Sequence, residues 1–294
     1  MTLAPIVLFV YNRPWHTEQT LKALEKNIFA QDSILYIYAD GMRENSTPEQ
    51  IEKVQQVRKI ISQQWNFKEI HIIEREKNWG LADNVIDGVT SVVNQYGTII
   101  VLEDDLVTSP YFLDYCNQGL CIYKENANVY SINAYQFPLP IDQFETFLCP
   151  LATSSWGWAT WAEKWAVFEK NPQYKNLIQQ NEYLRKRFNF ADYDYASMLD
   201  NPKSWAVRWY YSVFLRNGLG VFPTKSLVQN IGFDGSGENC GADLVEIELY
   251  KDKPNLIKNV VIDLLKTGLV ANYLSPLQKK TSFSSRIKSL FSKK

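Results

Sequence analysis

Residues 98–106 read TIIVLEDDL, an apolar run from Ile99 to Leu102 that ends in Glu103, Asp104 and Asp105. Four consecutive apolar residues bounded by polar ones predict a strand buried on both faces. Three carboxylates at its end concentrate like charge at the rim of a core, where desolvation and mutual repulsion both raise their energy. Two arrangements relieve that cost. The segment is either a solvated acidic turn or a site for a divalent cation that supplies the opposite charge.

The surrounding chain alternates between the same two patterns. IVLFVY (6–11), ILYIYAD (34–40) and EIHIIE (69–74) predict three more strands. Between them, Leu21 and Leu24 mark a helix over Thr17 to Lys26, and Ile51, Val54, Val57, Ile60 and Ile61 mark one that starts at Pro48, a favoured first-turn position. Leu81, Val85, Val89 and Val92 mark a third at 3.6-residue spacing. Strand–helix alternation predicts a parallel α/β sheet, which binds ligands at the carboxyl ends of its strands. Those ends read YNRP, ADG and EDD. Each alone is ordinary turn or helix-entry chemistry; three together predict a site.

Beyond Asp105 the pattern becomes irregular. Pro110 to Tyr123 predicts a helix, VYSINAY (129–135) a strand, and 136–150 a loop long enough to act as a flap. Helical stretches follow around 175–188 and 203–216, then the glycine-rich NIGFDGSGENCG. Trp158, Trp161 and Trp165 have the spacing of one buried helical face, which assigns Trp161 and Trp165 to the core.

Hydrophobic residues make up 46% and charged residues 21% of the 294, the balance of a globular protein, and a net charge of −1 offers nucleic acid no general attraction. Nine Trp and seventeen Tyr exceed what a core requires and suit either sugar stacking or an aromatic interface. Cys116, Cys121, Cys149 and Cys240 form no CxxC pair and have no His at zinc spacing, so they read as reduced packing residues of a cytoplasmic protein. MTLAPIVLFVYNRP lacks the basic leader of a signal peptide, and no window reaches the apolar length of a membrane span.

Two enzyme classes that use similar elements do not fit. No GxxxxGK[ST] phosphate loop is present, and the first strand ends in Tyr11 and Asn12 where an aspartyl phosphatase needs Asp. The order YNRP, ADG, NWGLADNVIDGV and VLEDDLVTSPYFLDY instead resembles the glycosyltransferases of the GT-A fold over about residues 4 to 240. Within that fold it is similar to the Golgi N-acetylglucosaminyltransferase that starts complex N-glycan branching, and to bacterial surface-polysaccharide sugar transferases.

The resemblance implies a Rossmann-like, mostly parallel sheet flanked by helices in one domain over 1–275, with a donor half at about 1–108 and a more irregular acceptor half at about 109–275. It implies a Mn²⁺ or Mg²⁺ cofactor held by Asp105, with Glu103 and Asp104 facing the ribose and sugar. Asp40 would hydrogen-bond the nucleotide base or ribose, and Arg13 would lie near the base or diphosphate. Asn84 would cover the nucleotide, or cap the helix that Gly80 opens. Trp156 and Trp158 would meet the acceptor sugar. The implied activity is transfer of a sugar from a nucleotide-diphosphate donor, UDP-sugar favoured, to a saccharide or lipid-linked saccharide acceptor, of hexosyl or N-acetylhexosaminyl type.

One departure touches the mechanism. The relative draws its base from a Trp-Asp-Asp-Trp segment, whereas the matching stretch here is Trp205-Ala206-Val207-Arg208-Trp209, without a carboxylate. An inverting transfer needs a base within reach of the acceptor hydroxyl. Asp234 and Glu238, in FDGSGEN, are the replacements, unless that loop is simply a polar turn; Asp192 and Asp194 are alternatives. Arg208 would bind the diphosphate or an acidic acceptor.

The terminal residues 276–294 carry six basic residues and no acid, which leaves −7 on the rest of the chain. Phe283, Ile287, Leu290 and Phe291 fall on one helical face, so the tail reads either as a basic amphipathic anchor for the anionic inner face of a plasma membrane or as a solubilising extension. Two other functions share parts of this pattern. A sugar nucleotidyltransferase would start with a Gly-rich phosphate loop, and a non-catalytic carbohydrate-binding protein would need no acids at several strand ends.

Overall fold

The apolar runs become the middle of one twisted sheet. In the computed structural model, which describes residues 2–151, 153–235, 247–256 and 261–274, strands β1 (Ile6–Val10), β2 (Ile34–Ala39), β3 (Glu69–Glu74) and β4 (Thr98–Glu103) run parallel in the order β3-β2-β1-β4. Helices α1 (Pro14–Leu24), α2 (Pro48–Ile61) and α3 (Leu81–Tyr96) make the crossovers. β1 shows why its sequence is apolar throughout. Ile6, Leu8 and Val10 join a core layer with Leu21, Leu24, Val57 and Ile61, while Val7 and Phe9 face Val85, Val89 and Val92 of α3. Successive side chains of a strand point to opposite faces, so a strand covered on both sides cannot alternate with polar residues. β3, at the edge, is mostly exposed, which accounts for the charged residues at both of its ends.

Local signals set the helix ends. Thr47 caps α2, its hydroxyl accepting from Gln50 N while the Gln50 side chain accepts from Thr47 N, with Pro48 in the first turn. The first helix begins at Pro14, earlier than the apolar spacing indicates, because Pro at the first turn is already set for helical φ.

The second half of the chain extends the same sheet. After β5 (Leu106–Thr108) and α4 (Phe112–Ile122) come β6 (Val129–Asn133), β7 (Thr146–Cys149) and β8 (Trp158–Trp161). Short helices α5 (Ala162–Trp165), α6 (Lys175–Gln180), α7 (Glu182–Phe188) and α8 (Tyr195–Met198) lead to α9 (Trp205–Phe214), β9 (Leu219–Pro223) and β10 (Val228–Asn230). The full order is β3-β2-β1-β4-β8-β6-β9-β7, with β10 pairing β5 in a separate ribbon. β8 runs antiparallel to both β4 and β6, and so joins the parallel β1–β4 block to the remaining strands. A further helix spans 264–274.

Two local expectations differ from this arrangement. The loop expected over 136–150 contains β7, and its start is anchored: Gln136 N donates to Ser226 Oγ at 3.0 Å and Gln136 Nε2 to Pro223 O at 2.8 Å. The tryptophan periodicity does not mark one helix. Trp158 and Trp161 lie in β8, an interior strand covered on both faces, and Trp165 in α5 packs against Trp158 and Trp209, so all three are buried. The tail from 276 lies outside the described residues, as does Cys240. No described helix is long and apolar enough to cross a membrane.

Candidate active site

Register brings the polar strand ends together. Val10 is level with Ala39, and Phe9 with Glu103, so Tyr11-Asn12-Arg13, Asp40 and Asp104-Asp105 leave the sheet along one edge. A cavity of about 560 Å³ opens there. Arg13, Asp40, Glu103, Asp104 and Asp105 line it together with the aromatic residues Tyr135, Trp156, Tyr193 and Trp205.

The charge on EDD is balanced from within the chain. Arg13 precedes α1, and its Nη2 donates to Asp105 Oδ2 at 2.7 Å and to Asp104 Oδ1. The three side chains are 16%, 7% and 8% exposed for Arg13, Asp105 and Asp104. Burial works against the Arg13 charge, but Asp104 and then Asp105 outweigh it and raise its pKa. For Asp104 burial dominates and pushes the carboxyl upward, opposed by Arg13. Among the described residues Glu103 makes no ion pair. Burial, then the charges of Asp105 and Asp104, push it up to about 8, although Arg13 and a hydrogen bond from the Trp205 side chain pull the other way. At neutral pH it is therefore largely protonated and can donate a hydrogen bond.

The segment after β10 closes over this cluster. Ile231 N donates to Asp105 O at 2.9 Å, and Gly232 N to Asn230 Oδ1 at 2.7 Å. A Cβ on Gly232 would lie 2.2 Å from Asp105 Oδ2 and 2.8 Å from Arg13 Nη1, so only glycine permits the contact.

The residues suit a divalent cation in kind. Asp104 and Asp105 offer hard oxygen donors on the cavity wall, and Mg²⁺-type ions take one or two carboxylates and fill their shell from phosphates and water. Among the described residues no group of three His, Cys, Asp or Glu could hold a metal. An ion here would thus share the aspartates with Arg13 and complete its coordination from the substrate.

Asp40 is committed elsewhere. Its Oδ1 accepts from Gly41 N and Trp79 N, each at 2.8 Å, and its Oδ2 from Asn78 Nδ2 at 3.0 Å and Gly80 N at 2.9 Å. Four donors use the carboxylate's lone-pair sites, so Asp40 clamps the entry to α3 and reaches the cavity from within that clamp. Asn84 is buried and does not line the cavity; its Oδ1 accepts from Arg75 Nε at 3.1 Å. Arg75 also pairs with Asp87 and lies 3.8 Å from the centre of the Trp79 ring.

Also on the cavity lining, Trp156 meets Tyr135 edge-on at 4.4 Å and Phe233 at 5.6 Å. Gly157 follows it at φ 71°, a left-handed turn that aims the indole away from β8 and into the cavity. Trp158 does not reach the cavity: it is fully buried against Trp165, Trp205 and Trp209 at 5.5–6.2 Å. Arg208 lies outside the cavity, its guanidinium donating to Pro202 O. Asp234 is not on the cavity wall either; its Oδ2 is 3.2 Å from His16 Nε2, off the line of a hydrogen bond. Glu238 lies outside the described residues. Asp194 caps α8 and pairs with Arg185 at 2.7 Å.

Sequence reasoning did not single out Asn78, Tyr135, Trp205 or Gly232. Asn78 is the first residue of the quoted NWGLADNVIDGV stretch, and Trp205 opens the segment noted for lacking a carboxylate. Gly232 lies in the glycine-rich NIGFDGSGENCG stretch, but its contact with Asp105, like the placement of Tyr135, depends on strands far apart in sequence.

No curated protein matches the chain. Among solved structures, it is similar to mannosyltransferase PcManGT from Pyrobaculum calidifontis, in complex with GDP-Man and Mn²⁺, at 11% identity and a TM-score of 0.36 over 67% of this chain and 52% of that one. It is similar to S. aureus TarS at 12% identity and a TM-score of 0.38, over 78% and 37%. A third likeness is to glucosyl-3-phosphoglycerate synthase from Mycobacterium tuberculosis, at 10% identity and 0.33, over 57% and 59%. The chain thus spans about half the length of the first of these. The architecture is an α/β fold with a large, mostly parallel central sheet flanked by helices, and residues 6–139, which carry the strand-end carboxylates, match the family model Glycosyl transferase family 2.

Proposed function

We propose that this protein transfers a sugar from a nucleotide-diphosphate donor, UDP-sugar in preference to GDP-sugar, to a saccharide acceptor. The observation that carries this reading is the cavity itself: acids and an arginine at three parallel strand ends line one cleft together with aromatic side chains. The donor occupies the charged side. Arg13 has donors beyond those given to Asp104 and Asp105, and these meet the diphosphate. Protonated Glu103 donates to a sugar or ribose hydroxyl, and Asp40 holds the 78–80 turn that floors the base. A bound Mn²⁺ or Mg²⁺ on Asp105 would neutralise the charge that develops on the leaving diphosphate.

The acceptor stacks on Trp156, which presents an apolar ring where a pyranose presents an apolar face. Its hydroxyl loses a proton to a carboxylate base, for which Glu238, outside the described residues, is the candidate, and the anomeric centre inverts. A lipid-linked saccharide of bacterial surface polysaccharide synthesis, met at the cytoplasmic membrane face, is the acceptor class that suits the basic tail.

Calorimetry with UDP, GDP and their sugars, with and without Mn²⁺, tests the reading. Nucleotide should bind more tightly with Mn²⁺, and Asp105→Asn should remove the Mn²⁺ dependence while leaving the fold intact. Failure of any nucleotide to bind would leave a carbohydrate-binding protein, and turnover of a nucleoside triphosphate would indicate a nucleotidyltransferase. Unaltered Mn²⁺-dependent binding in Asp105→Asn would refute the assigned ligand.

A further inference from the structure

Part of the cleft is walled by the hydrophobic core and not by strand ends. Val207 and Tyr210 of α9, with Val270 and Leu274 of the 264–274 helix, line the cavity and belong to one buried cluster. Val270 and Leu274 are four residues apart and so share a helix face. Tyr193 and Tyr195 are half-buried, pack against the same cluster and line the cavity as well. The stretch is continuous with the carboxylates: Trp205, in the first turn of α9, hydrogen-bonds Glu103 through its side chain, and Tyr195 meets Tyr210 one turn further on at 5.0 Å.

Its polar groups are few and mostly spent. The Trp205 indole serves Glu103, and Tyr210 Oη donates to Phe188 O at 2.9 Å. Lys203, the cation of this stretch on the lining, is exposed. Tyr193 and Tyr195 differ. Their rings lie 4.7 Å apart, and their hydroxyls make no hydrogen bond among the described residues. Each hydroxyl can both donate and accept. The matching ligand group is therefore uncharged, largely apolar, and able to donate one hydrogen bond and accept another. A carboxylate or phosphate would enter apolar surroundings unpaired, which is costly. The methyl of a deoxy sugar would fill the space and leave both hydroxyls without partners. An acetamido group meets every requirement: its methyl is apolar, its N–H donates and its carbonyl accepts.

We propose that Tyr193, Tyr195, Val207, Val270 and Leu274 form a subsite for the acetamido group of an N-acetylated sugar. The methyl rests on the aliphatic side chains, while one tyrosine hydroxyl accepts from the amide N–H and the other donates to its carbonyl. This inference rests on the sugar-transfer reading for the presence of a sugar in the cleft, and it makes Tyr193 and Tyr195 determinants of which sugar is taken.

Calorimetry on the full chain with matched sugar pairs tests it, and the pairs distinguish the two sources of the group. For the donor, UDP-N-acetylhexosamine is compared with UDP-hexose; for the acceptor, the methyl glycoside of N-acetylhexosamine is compared with that of the hexose, each in gluco and galacto forms. In at least one pair the acetamido member should bind about tenfold more tightly or better, the value of two ordinary neutral hydrogen bonds. Tyr193→Phe/Tyr195→Phe keeps both rings and removes only hydroxyls that no protein group uses, so its melting temperature should match wild type while the preference falls below about threefold. Because the preference is a ratio within one variant, a general loss of folded protein would not mimic this result. Equal affinity within both pairs, or no binding in either, would overturn the subsite, and so would a preference that the double variant retains. Absence of nucleotide binding together with a tyrosine-dependent preference between the glycosides would refute sugar transfer and leave the subsite standing.

Discussion

Removing Arg13 should destabilise the free protein, and a divalent cation should reverse much of the effect. In Arg13→Ala, Asp104 and Asp105 lose the single nitrogen that bridges them, and both remain 7–8% exposed. Removing one partner of a buried ion pair costs about 3–5 kcal/mol, chiefly the penalty of leaving the other charge unpaired. That is a large share of the about 5–15 kcal/mol that holds a typical domain together. Urea denaturation followed by fluorescence and circular dichroism measures it. Two controls separate the electrostatic cause from lost packing. Asp104→Asn/Asp105→Asn in the Arg13→Ala background should recover most of the loss, because no buried charge is left unpaired. Mn²⁺ at about a hundredfold its dissociation constant should return about 2.7 kcal/mol to Arg13→Ala and much less to wild type, where the guanidinium competes for the same oxygens. A loss below about 1 kcal/mol would refute the reasoning, since that is the value of an exposed pair. So would a triple variant no more stable than Arg13→Ala.

Two further variants probe neighbouring contacts. Glu103 titrates in the folded chain near 8, well above an ordinary glutamate, so the folded state holds a proton that the unfolded chain has released. Its contribution is fully present below the unfolded value of 4.5 and is lost as pH rises through about 8; thermal melts should show that Glu103→Gln flattens this decline relative to wild type. Gly232→Ala forces a methyl against Asp105 Oδ2 and should cost about 1–3 kcal/mol by overpacking, with weaker nucleotide binding by calorimetry; wild-type stability and affinity would show that the 231–234 segment does not press on the carboxylates.

How much was legible in the sequence depends on the range of the forces involved. β1 to β4 were legible because burial on both faces leaves continuous apolar runs, and α2 because its capping box and Pro48 are local. β7, β9 and β10 were not, since TFLC, LGVFP and VQN span only 5 residues or fewer and gain their order from cross-strand partners. The tryptophans misled because a strand followed by a helix reproduced helical spacing by coincidence. At the site, the strand-end acids were legible as a group, but their compensation was not. Arg13 and Asp104 are 91 residues apart, and nothing local distinguishes an arginine that bridges two aspartates from one that faces solvent. Asp40 was legible as a polar strand end, whereas its commitment to the 78–80 turn depends on a loop that only the register of β2 with β3 brings close.

The antiparallel strand β8 also limits how the molecule can move. Thr98 to Val101 of β4 pair with Trp161 to Trp158, and β8 then pairs β6 through Ala159 and Trp158. Rotating the two halves as rigid lobes would break this ladder and open the tryptophan layer beneath it. Ligand entry must therefore be accommodated by loops at the carboxyl edge of the sheet, on the timescale of loop motion, and not by slower hinge closure between lobes.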